Sequence, residues 1–383
     1  MSEKVIVTFT SYTKRIHLTS IVVKNIFSQT IIPDMILLWL STLEFPNKEN
    51  DLPKELLELV GINNFEICWV KENLKSHKKY YYALQEYADN IIITIDDDIC
   101  YSQTMIEELL NSYYRFPNSI SARNVHMILK EGKEIASYNK WNRNCRKYNQ
   151  VERHDLCAIG WGGILYPPNI ATKRWFDIDT IQKLCLYQDD LWLKINEILD
   201  RISIVYVKKM REDKIIEDAQ INALYNQNLY ENQNDICMKK LCNWGKKEKN
   251  DVIEEWISCV YNYDKYYNLC RKKLALDLFD ILNKYNKVYI CGAGNYAKAL
   301  IRLFRFCCKY EAIEGLIVSE NRDNIREVEG IPIISINDIK TNSNDLVICG
   351  VSEKYRESLK DSLKDKLGKW VDMDIDTIYN SFK

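Results

Sequence analysis

The feature that most constrains the fold is an alternation of short apolar runs with helical stretches in the first hundred residues. Runs rich in β-branched and aromatic residues occupy 5–11, 35–41, 65–70 and 91–96, and helical patterns lie near 18–29, 52–60 and 77–88. Strands that alternate with helices form a parallel sheet covered by helices. We therefore predict an α/β fold in which the carboxyl ends of the strands border one crevice, the usual ligand site of such sheets.

The chain has 383 residues, which exceeds one ordinary core and suggests more than one domain. Residues 120–215 are irregular and suit the mixed half of the same sheet. The Asn-rich stretch 222–235 is typical of a loop, residues 236–283 show helical periodicity, and strand-helix alternation then restarts. We predict a first domain over 1–235, a helical connector over 236–283 and a small Rossmann-like α/β domain over 284–383.

Composition excludes several classes of protein. The 53 basic and 54 acidic residues give a formal net charge of -1, so no global field favours nucleic acid. The 13 cysteines contain no CxxC pair, which favours reduced thiols in a cytoplasmic protein. No apolar run reaches the roughly 18 residues that span a bilayer, and the first residues lack a secretion signal. Membrane contact is therefore expected to be peripheral, at the inner face, and the oligomeric state is not indicated.

Three carboxylates, Asp96, Asp97 and Asp98, follow the fourth apolar run. Acids crowded at a strand end repel one another and lose hydration unless a cation or hydrogen-bond donors compensate. Mg²⁺ or Mn²⁺ accepts carboxylate oxygens and bridges to nucleotide phosphates. Strand alternation would put Asp96 and Asp98 on one face, so we predict Asp98 as the first metal ligand and Asp96 as the second. A solvated acidic loop is the alternative.

Other residues are expected to converge on the same crevice. Ser11, Tyr12 and Glu72 follow the first and third strands. Lys78 and Lys79 precede the strand of the acid run, where a cation can meet a phosphate, and the alternative is a solvated helix face.

A glycine-rich stretch, Gly160, Trp161, Gly162 and Gly163, permits tight turns beside a flat indole that suits a sugar ring. A Trp that plugs the core beneath a glycine bend is the alternative.

Asp189 and Asp190 stand where a helix begins. A carboxylate there can take the proton of an attacking hydroxyl, although helix capping alone would explain one acid. His154 lies nearest this chemistry among the four histidines, and a structural role is the alternative.

Taken in order, VIVTFTSYTKRI, HKKYYYALQEYADNIIITIDDDICY, GWGGILYPP and QDDLWLK resemble GT-A glycosyltransferases of the family 2 type, particularly bacterial surface-polysaccharide enzymes. The resemblance covers about residues 1–215. It implies a nucleoside-diphosphate sugar as donor, a divalent metal, a glycan or lipid-linked glycan as acceptor, and transfer that is more consistent with inversion than retention. With a lipid-linked acceptor, basic or aromatic surface near the connector would rest on the membrane.

The resemblance also implies roles for individual residues. The donor is assigned to Thr8, Ser11, Tyr12, Arg15, Lys79, Asp96 and Asp97; the metal to Asp98 and Asp96; and the acceptor to Trp161, Gly162 and Gly163. Asp190 is assigned as catalytic base, with Asp189 holding the acceptor. The family more often carries Glu-Asp here, so the Asp-Asp pair leaves the choice between the two acids open.

The last domain carries a candidate second nucleotide site. Gly292, Gly294 and Ala297 match GxGxxA between a strand and a helix, and Glu320 closes the next strand, where a ribose-binding acid would lie. The domain resembles small Rossmann-like domains beside sugar-modifying enzymes of polysaccharide pathways. It either binds a nucleotide, with NAD(P) as one candidate, or serves as a structural or partner-binding module.

Three other functions compete with the transferase hypothesis. A nucleotidyltransferase would usually carry a glycine- and lysine-rich phosphate loop near the first strand, and VTFTSYTKRI has none. An NAD-linked sugar oxidoreductase would depend on the last domain. A non-catalytic assembly factor would bind sugar nucleotides without turnover.

Overall fold

The computed structural model describes residues 3–216, 232–282, 284, 285, 287–318, 325–339, 345–352, 355, 356, 359, 369–371 and 373–382. The chain forms two compact units, Met1–Val260 and Tyr261–Lys383. The boundary between the units falls inside the predicted connector, because the long helix Gln233–Cys259 belongs to the first unit and the long helix Tyr263–Leu282 belongs to the second. The predicted division into a first domain, a connector and a last domain remains a prediction, and most of the Asn-rich stretch 222–235 lies outside the described residues.

The first unit contains strands and helices whose bounds are as follows. The strands are β1 Val5–Thr10, β2 Met35–Ser41, β3 Phe65–Val70, β4 Ile91–Thr94, β5 Ile99–Cys100, β6 Ile120–Ala122, β7 Val125–Met127, β8 Lys130–Glu131, β9 Glu134–Ile135, β10 Glu152–Arg153, β11 Leu156–Ala158, β12 Ile164–Tyr166, β13 Ile204–Tyr206 and β14 Lys214–Ile215. The helices are α1 Thr19–Phe27, α2 Lys54–Leu57, α3 Lys78–Tyr81, α4 Ala83–Glu86, α5 Met105–Arg115, α6 Ile178–Leu184, α7 Asp189–Leu199 and α8 Gln233–Cys259.

An eight-stranded mixed sheet organises this unit, in the order β10-β13-β6-β12-β4-β1-β2-β3. The strands β3, β2, β1 and β4 are parallel neighbours, and β12 runs antiparallel between β4 and β6. The predicted fold class, α/β with a mixed, mainly parallel sheet, is confirmed. The ends of β1 and β4 are adjacent because Thr8 pairs with Thr94.

The core of this unit explains why the apolar runs form strands. Residues of β1, β2 and β4 are almost wholly buried, as continuous apolar runs in a sheet covered on both faces should be. The helical predictions were less accurate: residues 52–60 contain only α2, and 77–88 divides into α3 and α4. The helical patterns there are interrupted by short turns, which periodicity alone does not resolve.

A segment after β13 returns to the end of the acid run. Its strand β14 pairs antiparallel with β5, and Ile216 N donates to Asp98 O at 2.9 Å. Residues 207–216 therefore border the carboxyl edge of the sheet. Two further two-stranded pairs, β7 with β11 and β8 with β9, complete the described strands of this unit.

The second unit has its own sheet and core. Its helices are α9 Tyr263–Leu282, α10 Asn295–Phe306 and α11 Ile375–Phe382, and its strands are β15 Lys287–Cys291, β16 Ile313–Val318, β17 Glu327–Val328, β18 Ile331–Ser335, β19 Asp345–Cys349 and β20 Lys369–Val371. The order β17-β18-β16-β15-β19-β20 is parallel except at β17. The second unit is therefore a small α/β unit, and its Rossmann-like character remains a prediction.

A search of the described residues for a helix both long enough and apolar enough to cross a bilayer found none.

Candidate functional site

The acid run leaves the sheet before its carboxylates begin. Strand β4 ends at Thr94, and Asp97 and Asp98 lie in a turn. Asp96 Oδ1 accepts from Lys79 Nζ at 2.8 Å, whereas Asp97 and Asp98 both contact Arg15 Nη1, at 2.9 and 3.0 Å. Strand alternation consequently does not apply, and Asp97 shares a cation with Asp98 instead of pointing elsewhere.

The end of β1 supplies the partners of this run. Ser11 Oγ donates to Asp97 Oδ2 at 2.5 Å, and the Arg15 guanidinium lies 5.7 Å from the centre of the Tyr12 ring. Burial raises the pKa of Asp97 although Arg15 and Ser11 stabilise its charge. Asp97 thus positions Arg15 and is too enclosed to be the main ligand of an ion.

Thr8 supports the site from below. Its side chain is fully buried, donates to Lys79 O at 2.8 Å and accepts from Trp39 Nε1 at 2.9 Å. In this structure Thr8 does not face the crevice, because its hydroxyl is used to hold the backbone of Lys79. Its predicted contact with the donor is replaced by a positioning role.

Lys79 is the centre of the site. Its Nζ is buried 2.8 Å from Asp96 Oδ1 and 2.9 Å from Asp189 Oδ2. Burial opposes the charge, but Asp189, Asp96 and Asp190 outweigh it and hold the pKa of Lys79 well above its usual value. Lys79 therefore stays charged and joins the acid run to the acids of α7.

Neither lysine lies on a solvated helix face. Lys78 is buried as well, but it turns away and pairs with Glu44 at 2.9 Å. Only Lys79 belongs to the cluster.

The glycine stretch packs directly against this cluster. A Cβ placed on Gly160 would lie 2.5 Å from Lys79 Nζ and 3.4 Å from both Asp190 Oδ1 and Asp96 Oδ1. A side chain at position 160 would therefore displace the end of Lys79 from its carboxylates. The glycine was visible in the sequence as the first of the stretch, although no site role was assigned to it there.

The other members of the stretch have different surroundings. A Cβ on Gly162 would meet Asn124 N at 2.6 Å, and Gly163 has φ +84°. Gly162 packs against backbone and leaves no room for an acceptor there, whereas Gly163 faces the side chains of Met105 and Leu109. Trp161 is 39% exposed, which excludes the alternative in which it plugs the core.

The two acids of α7 have opposite environments. Burial favours the neutral form of Asp189, yet the charge of Lys79 outweighs burial and lowers the pKa of Asp189. Burial, then the Asp189 charge, holds the pKa of Asp190 well above its usual value, although Gly160 N donates to Asp190 Oδ1 at 3.1 Å. Neither acid caps α7, so the capping alternative does not explain them.

His77 fastens the end of α6, four residues before α7, to the start of α3, a role that the sequence did not reveal. Its Nε2 donates to Cys185 O at 2.9 Å, and its Nδ1 accepts from Tyr80 OH at 2.8 Å. The ring is fully buried, and burial lowers its pKa, so the imidazole is neutral. Only its position two residues before Lys79 could have suggested it.

A buried arginine, also missed, connects the glycine turn to the segment after β13. Arg123 donates to Glu108 Oε2 at 2.7 Å, to Asp213 Oδ1 at 3.1 Å and to Gly162 O at 3.2 Å. Asp213 pairs in turn with Lys209 at 2.8 Å, whose Nζ lies 4.1 Å from the centre of a Trp161 ring. Arg123 therefore holds together the glycine turn and the segment after β13, which both lie beside Trp161.

The site has an excess of negative charge that fits a divalent cation. Five carboxylates, on residues 96–98, 189 and 190, face two cations, Lys79 and Arg15. Burial and the neighbouring Asp96 raise the pKa of Asp98 to about 6 in spite of Arg15. Among the described residues no three His, Cys, Asp or Glu side chains form a metal cage. Mg²⁺ commonly uses one or two carboxylates together with substrate phosphates, so Asp98 and Asp96 fit such an ion.

Two residues singled out in the sequence lie elsewhere. Glu72 is exposed near Tyr82, where burial and this carboxylate raise the pKa of the phenol. His154 Nδ1 donates to Ile202 O at 3.3 Å, and its carbonyl accepts from Trp256 Nε1 at 2.9 Å, which is a structural role.

The candidate nucleotide turn of the second unit is only partly described. Gly292 has φ +107°, and a Cβ added to it would lie 2.9 Å from Gly350 O. Gly294 is the N-cap residue of α10, and a Cβ added there would meet open space. Ala297 is buried in α10. Glu320 lies outside the described residues, so the ribose-binding role stays a prediction.

Comparisons with known proteins add little to this geometry. No protein-family model matches the chain, and no curated protein matches it. Among solved structures, a mannosyltransferase from Pyrobaculum calidifontis, in complex with GDP-Man and Mn²⁺, has a TM-score of 0.35 at 9% identity, over 55% of this chain and 56% of that one. A putative glucose-1-phosphate thymidylyltransferase from Bacillus anthracis, in complex with a sucrose, has a TM-score of 0.35 at 12% identity, over 60% of this chain and 95% of that one.

A UTP-bound UDP-glucose pyrophosphorylase from Acinetobacter baumannii is similar at a TM-score of 0.33 and 9% identity, over 64% of this chain and 94% of that one. The match to the mannosyltransferase is shorter, since this chain spans little more than half of that protein's length. Likenesses at these TM-scores carry no weight for the role of this site, which rests on its own residues.

Proposed function

We propose that the chain is a metal-dependent, inverting glycosyltransferase that moves a sugar from a nucleoside-diphosphate donor to a hydroxyl of a glycan acceptor. One observation carries this proposal: Lys79 Nζ lies within 2.9 Å of both Asp96 and Asp189. An acid run suited to a donor and a pair of acids suited to an acceptor therefore share one centre.

The donor side of the site is the acid run with Arg15. Asp98 and Asp96 would hold the divalent ion, which would supply charge stabilisation to the departing diphosphate. Arg15 and Lys79 add fixed positive charge where negative charge develops. Ser11 and Asp97 orient Arg15, since Asp97 bonds to both.

The acceptor side is the start of α7. Asp189 stays ionised because Lys79 neutralises it, which makes it a poor base. Asp190 has the raised pKa that general base catalysis requires, and Gly160 N fixes its carboxylate. Asp190 would take the proton of the acceptor hydroxyl while that oxygen attacks the anomeric carbon opposite the leaving group.

Finer parts of the proposal rest on the sequence resemblance. The acceptor we propose is a glycan or lipid-linked glycan of bacterial surface-polysaccharide synthesis, at the cytoplasmic side of the membrane. A nucleotide at Gly292 and Gly294 is proposed for the second unit, and the exposed space beside Gly294 supports it.

Donor binding can be tested by screening nucleotide sugars for thermal stabilisation with Mg²⁺ or Mn²⁺. A ligand that binds the native state raises the unfolding temperature in proportion to its occupancy. At least one donor should stabilise the protein only when the cation is present. If none does, the transferase proposal is wrong.

Two substitutions then separate the halves of the site. Asp98→Asn should abolish cation-dependent donor stabilisation, whereas Asp190→Asn should leave it intact and lower turnover at least a hundredfold. Asp179→Asn is the matched control, because Asp179 is exposed in the first turn of the neighbouring helix α6. Equal donor affinity in wild type and Asp98→Asn would overturn the metal assignment.

A further inference from the structure

The segment after β13 presents apolar and basic side chains to solvent at the edge of the site. Met210 is 76% exposed and Ile215 is 52% exposed, among the larger exposures of apolar side chains in the described residues. Lys208, Arg211 and Lys214 are exposed beside them. We call these five residues the basic rim.

The basic rim is held in place although its side chains make few contacts. Asp213, within the segment, is buried against Arg123, and Met210 N donates to Glu108 Oε1 at 3.3 Å. Lys208 N donates to Asn149 Oδ1 at 2.7 Å, and β14 pairs with β5. The backbone is therefore fastened at several points, so the outward direction of the rim side chains follows from the fold.

Three cations of the basic rim have no ionic partner among the residues that the structure describes. Lys209, between its members, pairs with Asp213. Lys208, Arg211 and Lys214 form no ion pair with other described residues, and Glu212 is the one acid exposed among them. Cations around exposed apolar side chains suit a partner surface whose outer layer is anionic and whose interior is apolar.

An aromatic side chain lies at the same edge. Trp161 is 39% exposed, and Lys209 Nζ stands 4.1 Å from a ring centre. Tryptophan favours the boundary between lipid headgroups and acyl chains, and Lys or Arg stems extend toward headgroups. Trp161, Met210 and Ile215 would provide apolar contact while Lys208, Arg211 and Lys214 meet lipid phosphates.

We propose that the basic rim docks the protein on an anionic bilayer surface. This position differs from the connector helices, where the sequence had suggested membrane contact. Docking here would bring the edge of the site that holds Trp161 next to the bilayer, where a lipid-linked acceptor would be presented; that last consequence rests on the proposed function. Docking itself does not depend on transfer.

Vesicle flotation of the full chain tests the proposal. Vesicles of phosphatidylcholine alone should float little protein, and vesicles with phosphatidylglycerol should float it at low salt and release it at high salt. Lys208→Glu and Arg211→Glu should each weaken binding to anionic vesicles about fivefold or more, since one cation near such a surface contributes about 1 kcal/mol. Met210→Asp should weaken it about tenfold by removing apolar contact and adding a negative charge.

Matched controls lie on other elements. Leu43→Asp changes an apolar side chain that is 72% exposed, and Lys133→Glu reverses an exposed cation in the turn between β8 and β9. Both should bind vesicles as the wild type does. Absence of binding to anionic vesicles, or equal loss in rim and control variants, would overturn the proposal.

Two further readouts separate the remaining outcomes. Capture by a soluble anionic polysaccharide without vesicle binding would make the rim a polyanion site and would also overturn the proposal. Thermal stabilisation by donor, measured on the same preparations, distinguishes failure of docking from failure of the transferase proposal: a rim variant should bind donor normally.

Discussion

At the scale of single residues, Arg123 is a buried cation that pairs with two buried carboxylates. Arg123→Met would leave the Glu108 and Asp213 carboxylates buried without their shared partner. Breaking a buried ion pair from one side costs about 3–5 kcal/mol, so the free energy of unfolding should fall by that amount in urea titrations. Arg201→Met, which removes an exposed pair with Glu255, is the control and should change stability little.

The backbone at Gly160 packs closely against the ammonium group of Lys79. Gly160→Ala would place a methyl group 2.5 Å from Lys79 Nζ and force the ammonium away from its two carboxylates. Displacements of about 1 Å in such a site can cost about a hundredfold in rate, so turnover should fall by that order. The control Lys133→Ala changes an exposed residue in the turn between β8 and β9 and should leave steady-state kinetics unchanged.

The raised pKa of Asp98 predicts a pH dependence of donor binding. Burial and Asp96 raise this pKa to about 6, above its value in the unfolded chain, so the ionised form is disfavoured in the fold. The protonated Asp98 carboxyl therefore stabilises the fold at low pH, and this contribution is lost as pH rises from about 4 through 6. A bound cation offsets the charge of the ionised carboxylate. Below pH 6 a proton competes with the cation for Asp98, so metal-dependent donor affinity should fall about tenfold for each unit by which the pH is lowered.

Isothermal titration at several pH values would measure this dependence. An affinity that stays constant between pH 5 and pH 7 would contradict the role of Asp98.

At the scale of elements, the site depends on how α3 and α7 are joined. His77, just before α3, donates to Cys185 O, shortly before α7. His77→Leu would leave the buried Tyr80 hydroxyl without its imidazole partner and would remove one of the two donors to Cys185 O, which also accepts from Gln188 N at 3.0 Å. A buried polar group that loses its partner costs about 1–3 kcal/mol, and turnover should fall because Lys79 loosens from Asp189. Tyr80→Phe is the matched variant, because it removes the other bond of the ring and keeps the Cys185 contact. Turnover losses of equal size in both would show that His77 does not position the helix.

The elements also show how far the sequence could be interpreted. Strands β1 to β4 were predicted within one or two residues, because buried parallel strands are continuous apolar runs bounded by turns. The convergence of Ser11 and the acid run followed from parallel topology. The divided helices over 77–86 were not predictable, because their interruptions depend on packing against β1 and β2.

At the scale of the whole molecule, two units have separate cores. Leu300→Ala removes a fully buried side chain from the core of the second unit and should destabilise that unit by about 2–5 kcal/mol. Calorimetry should show the loss in the transition of this unit alone. Metal-dependent donor binding should be unchanged, since all residues of the proposed site lie in the first unit. A parallel loss of donor affinity would show that the second unit contributes to the site.

The sequence by itself determined the kind of fold and the acids and Lys79 of the candidate site, but not His77 or Arg123. Local chemistry is enough for this: apolar runs specify strands, and acids crowded after a strand require cations. Tertiary structure alone decided which groups meet. Lys79 joins Asp96 to Asp189 from positions 17 and 110 residues apart in the chain, and Arg123 joins Gly162 to Asp213. Such contacts depend on burial and on approach distances of a few ångströms, which no local pattern encodes.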